Sequence, residues 1–192
     1  MVKGQSKIIE YVFVIFLSVI VILAISITVY SFYRVSLENS IRSELEQIAI
    51  ETSQNIMELY ESGKKSNAIP QINSSLLLGE VEMSLPSQVS KRNYRIELVT
   101  ASDLWIYITN LTINQTNVSA ITDTSGAKVI VKTTQDPKVE VEESIPNIDA
   151  IIEGMSENGN GLLRYYRYNL NGNITDAIIL GNNDIFIQVT GE

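Results

Sequence analysis

The chain has 192 residues, enough for one domain plus a long helix, and its 14 Lys and Arg stand against 22 Asp and Glu, a formal net charge of −8. That balance, with no cluster of cations, argues against a nucleic-acid surface and against polybasic docking onto anionic lipid. The absence of Cys and His removes disulfides, thiolate and imidazole chemistry, and zinc sites of the usual kind.

Residues 1–10 read as a short tip whose only charges are Lys3, Lys7 and Glu10. Residues 11–33, YVFVIFLSVIVILAISITVYSFY, then run for 23 positions without a charge, and about 20 apolar residues in a helix cross the hydrocarbon layer. A core helix of a soluble domain is shorter and keeps a polar face. A cleaved secretory signal has an apolar region of about 7–15 residues and a small-x-small site after it. The run therefore predicts a transmembrane helix, with membrane lipid as its first partner. Tyr11 at one end and Tyr30, Phe32 and Tyr33 at the other suit the two interfaces. Ser18, Ser26, Thr28 and Ser31 can bond back to the helix without breaking it. Lys3 and Lys7, set against the acidic remainder, favour an inside N-terminus and an external C-terminal domain in a single-pass arrangement in the cell membrane.

Residues 34–62 predict an amphipathic extension of the helix. Leu37, Ile41, Leu45, Ile48, Ile56 and Leu59, with Thr52 in the gap, recur at steps of three and four. Gly63 is the first Gly or Pro after Gln5 and ends the segment. The stripe has two readings, packing on the chain's own domain or on neighbouring copies.

Residues 63–79 read as a connector and residues 80–192 as a β-rich domain. Strands are predicted over 81–85, 94–100, 104–109 and 128–134, with Asp136-Pro137 as a breaker and a short edge strand over 139–141. Residues 148–155 are ambiguous between a helical turn and a strand. Residues 162–170 and 173–180 flank Asn171-Gly172, the strongest short-range hairpin signal. A further strand over 185–190 completes an antiparallel meander. The fold class expected is α+β, a long N-terminal helix followed by a mainly antiparallel β domain.

Five positions are followed by Ser or Thr two residues on with no intervening Pro: Asn73, Asn110, Asn114, Asn117 and Asn173. They read either as ordinary polar loops or as acceptors of glycans on an external surface. The stretch LLRYYRYNL, with Arg164 and Arg167 among Tyr165, Tyr166 and Tyr168, is either a half-buried strand with paired side chains or a face that stacks sugars or grips a partner. Carboxylates are numerous but form no catalytic motif. Asn182, Asn183 and Asp184 lack the alternating spacing of a calcium loop. No phosphate loop or nucleophile elbow is present. No enzyme, cofactor or metal is therefore expected.

Lys3-Gly4-Gln5-Ser6, followed by Glu10-Tyr11 and an unbroken apolar helix, resembles the start of archaeal type IV pilin-like proteins, which carry a class III signal peptide. The resemblance implies a cut between Gly4 and Gln5 by a prepilin peptidase. It also implies a helical stem under a β head in a lollipop-like layout, and self-association of the stem, or its packing with other pilin-like subunits, in an adhesive surface filament. Glu10 would be the assembly carboxylate. The family usually has Glu at the fifth mature position, and here Glu10 stands at the sixth. A helix turns about 100° per residue, so the carboxylate points elsewhere. The alternative is an anchored ectodomain that does not polymerise and binds an envelope partner or ligand.

Overall fold

A computed structural model gives the fold and describes residues 3–100, 126–170 and 172–181. Among the described residues one helix, α1 (Lys3–Lys64), precedes seven strands. The chain divides into two compact units, Met1–Ser40 and Ile41–Glu192.

The first unit holds the apolar part of α1. From Ile9 to Val35 the large hydrophobic side chains are exposed, from 47% at Ile20 to 77% at Phe32. A helix apolar on all sides cannot be stabilised by a water-facing stripe. This one is long and apolar enough to cross a membrane.

In the second unit the helical periodicity meets a sheet. Ile41, Leu45, Ile48, Ala49, Thr52, Ile56, Leu59 and Tyr60 are buried, while Arg42, Glu46, Gln47 and Ile50 face out. Of the two readings of the stripe, packing on the chain's own domain is the one seen from Ile41 onward. The helix ends where Gly63 lies flat against the Tyr165 ring, and a Cβ there would overlap the ring carbons. The Tyr60 ring meets Tyr165 edge-on at 6.1 Å.

The strands are β1 (Ser74–Ser84), β2 (Tyr94–Val99), β3 (Lys128–Thr133), β4 (Glu140–Ser144), β5 (Ile151–Glu157), β6 (Asn160–Leu170) and β7 (Asn173–Leu180). Their order in one sheet is β1-β6-β7-β5-β2-β3-β4. The alternation expected for β2 and β3 holds: Tyr94, Ile96 and Leu98 are buried on one face, as are Val129, Val131 and Thr133.

Three expectations change. β1 begins at Ser74, inside the stretch read as a connector, and joins the sheet beside β6. The ambiguous stretch 148–155 resolves as β5, which starts at Ile151. The sheet is mixed, because β5 runs parallel to β7 while the other paired neighbours are antiparallel. Asp136-Pro137, a cis peptide, separates β3 from β4, which takes the expected outer position. The predicted antiparallel pairing of β6 with β7 forms, with Gly172 at φ +88. The strands expected over 104–109 and 185–190 lie outside the described residues.

Candidate functional site

The first candidate site is the apolar helix of the first unit. The hydroxyls of Ser18, Ser26 and Thr28 donate to the carbonyls of Val14, Ile22 and Ala24 at 2.8, 2.8 and 2.9 Å. Each hydroxyl is thus satisfied one turn back, so these residues add no unpaired polarity to the surface. Glu10 lies in α1 and is exposed, next to exposed Ile9 and Tyr11. Gly4 and Gln5 fall in the first helical turns. Arg34 and Glu38 form an exposed i,i+4 pair at 3.0 Å, at the border where the apolar run ends.

The Tyr-Arg strand in β6 is the second candidate. The structure spends its side chains internally. Arg167 forks onto Asp176 through Nε and Nη2, at 2.8 and 3.0 Å. Its Nη1 donates to the Ser66 and Ala68 carbonyls at 2.8 and 3.1 Å. The Tyr165 hydroxyl donates to Asp176 at 2.6 Å. Burial, and then Asp176, push the Tyr165 hydroxyl pKa well up. The Asp176 carboxylate holds Arg167 cationic and raises its pKa further. Asn169 completes the arrangement by donating to the Pro70 carbonyl at 2.9 Å. These bonds tie residues 66–70, just past the end of α1, to the middle of the sheet.

Arg164 sits 3.8 Å from Glu80, and Tyr168 is buried. The strand is therefore a structural clamp whose residues pair across the sheet. Of the two readings of this stretch, the half-buried strand with paired side chains is the one seen; sequence reasoning did not name Asp176 as the partner, although a signal was present. A hairpin centred on Asn171-Gly172 places 167 opposite 176, and that is the observed register.

The helix and the sheet are joined again at the other rim. The Glu44 carboxylate accepts from the Ser90 amide at 3.0 Å and from the Ser90 hydroxyl at 2.6 Å. The turn it caps holds Ser90 and Lys91 at φ +45 and +64. Charges on β2, β3, β4 and β5 also pair among themselves: Lys132 with Glu97 and Lys128 with Glu142, both at 2.7 Å, and Arg95 with Glu157.

Of the sequon residues, Asn73 and Asn173 are exposed. Asn110, Asn114 and Asn117 lie outside the described residues, as do Asn182, Asn183 and Asp184. Among the described residues no group of three or more His, Cys, Asp or Glu is placed to hold a metal ion. No family model, curated protein or solved structure matches this chain.

Proposed function

We propose that the chain is a structural, non-enzymatic subunit of a type IV pilin-like surface filament, anchored by α1 until it assembles, with its β domain outside the cell doing the adhering. The supporting observation is the fully exposed apolar run from Ile9 to Val35 with one carboxylate, Glu10, at its start. Burying a large apolar side chain is worth about 1.5–3 kcal/mol. Lipid or a bundle of like helices supplies that burial equally well, so transfer from membrane to filament need not expose the helix to water. A carboxylate in such surroundings needs a cationic partner. A prepilin-type cut between Gly4 and Gln5 creates one, the free amine of Gln5 on a neighbouring subunit.

Glu10 at the sixth mature position, with Lys7 three residues before it, favours a second reading. In it the chain is a permanently anchored ectodomain that binds an envelope partner. Intact mass of the protein from its native membrane, after removal of any glycans, separates the two. Loss of residues 1–4 is the expected result, and an uncut N-terminus would overturn the filament reading. In a processed chain, Glu10→Gln is expected to abolish filaments while sparing membrane insertion. Filaments at normal yield from that variant would sink the pairing role.

A further inference from the structure

The two described sequons are far apart in sequence, yet the sheet brings them to one rim. Ser74 faces Asn169 in the β1–β6 register, and Asn169 faces Ile174 in the β6–β7 register. The Asn73 amide donates to the Asn169 carbonyl at 2.6 Å. Asn73 therefore stands just before β1 and Asn173 at the first position of β7, with the same strand end between them. It is the rim at which α1 finishes, since Gly63 and Tyr60 pack on Tyr165 while Glu44 reaches the Ser90 turn at the opposite rim.

Two properties of this rim suit an attached sugar. It is open: Asn73, Gly172, Asn173 and Ile174 are exposed, and a Cβ at Gly172 would touch nothing. It is also unusually apolar for a water-facing loop cluster. Ile69 and Ile72 are 66% and 68% exposed and Ile174 is 49% exposed, each within four residues of a sequon Asn. Scattered exposed hydrophobics are ordinary, but three at one rim give an attached sugar apolar surface to cover.

We propose that Asn73 and Asn173 each carry an N-linked glycan, and that the pair caps this rim and shields Ile69, Ile72 and Ile174. The proposal rests on the external placement of the domain in the preceding reading, and not on filament formation. The sugar donor is a lipid-linked oligosaccharide. The Asn carboxamide nitrogen forms a bond to C1 of the first sugar, and the bond from C1 to the lipid phosphate oxygen breaks. The phosphate leaves as an anion, and the amide proton passes to a base of the transferase. The hydroxyl two residues on, from Ser75 or Thr175, is the feature the transferase reads. Asn110, Asn114 and Asn117 are not part of the proposal.

Trypsin makes the test clean. Cleavage after Lys65, Lys91 and Arg167 puts Asn73 on peptide 66–91 and Asn173 on peptide 168–192, one sequon each. Mass spectrometry of the full chain from native membranes is expected to show both peptides heavier by the same saccharide mass. Thr175→Ala should remove the increment from 168–192 alone, and Thr175→Ser should restore it. An increment on 168–192 that persists in Thr175→Ala would overturn the proposal. So would unmodified peptides from a domain that added protease digests on intact cells, a result that leaves external placement standing. Protection of the domain on intact cells would overturn both.

Discussion

Replacing Arg167 by Ala would leave the Asp176 carboxylate charged and largely shielded, since the two side chains are only 11% and 17% exposed. Removing one partner of a buried pair is strongly destabilising. The expected loss is about 3 kcal/mol in the unfolding free energy of the second unit, read by chemical denaturation. Arg167→Lys should lose somewhat less, because it keeps the charge but not the fork. Tyr94 carries a different prediction. Its hydroxyl donates to the Pro86 carbonyl at 2.6 Å, and burial, followed by the Glu51 charge, pushes its pKa up from 10.0 to about 12. The folded state therefore keeps a proton that the unfolded chain gives up above pH 10. Stability should be level with respect to this group below pH 10 and fall as pH rises toward 12. Tyr94→Phe should cost about 1 kcal/mol at neutral pH, from the lost hydrogen bond. The same change should make the alkaline fall in melting temperature shallower. Some fall should remain, because Tyr165 is shifted in the same direction.

At the scale of elements, the second half of α1 was legible because a period of three and four has one explanation when the opposite face is charged. Ile41, Leu45, Ile48, Ile56 and Leu59, named from spacing alone, are all buried. Ile56→Ala should cost about 3 kcal/mol in chemical denaturation, as a cavity in a packed core does. Ile50→Ala, one helix face away and 47% exposed, should stay within about 0.5 kcal/mol. The start of β1 was not legible, for a physical reason. Leu76, Leu77 and Leu78 run together, and the register with β6 shifts between Leu77 and Gly79. An extra residue in one strand breaks the period of two on which strand recognition depends. The second set of Arg167 bonds was hidden for a different reason: it reaches the carbonyls of Ser66 and Ala68, about 100 positions earlier in the chain. Local pattern carries no trace of that second set of bonds.

At the scale of the molecule, the division at Ser40 separates two kinds of stability. The buried stripe starts at Ile41, the first residue of the second unit. A chain beginning near residue 36 is expected to be water-soluble and to unfold cooperatively. Circular dichroism and gel filtration without detergent would check this, and a molten or aggregated product would show that the second unit needs the first. The general α+β layout could be read in advance from the switch between periodicities. The parallel β5–β7 pair could not, because parallel partners are set by crossovers and not by turn chemistry.

The strand order also constrains when the domain can form. β6 and β7, made last among the described strands, stand between β1 and β5. Until they arrive, β1 has no neighbour among the described strands, and β5-β2-β3-β4 is a smaller sheet not joined to β1. The C-terminal hairpin is a keystone: among the described strands it alone joins β1 to the β5-β2-β3-β4 sheet. Non-local pairing of this kind is slow to form. A chain whose sheet closes only when its last described strands appear stays open to proteases until then. Stopping synthesis at residue 158 should yield a protease-sensitive product even though five of the seven strands have been made.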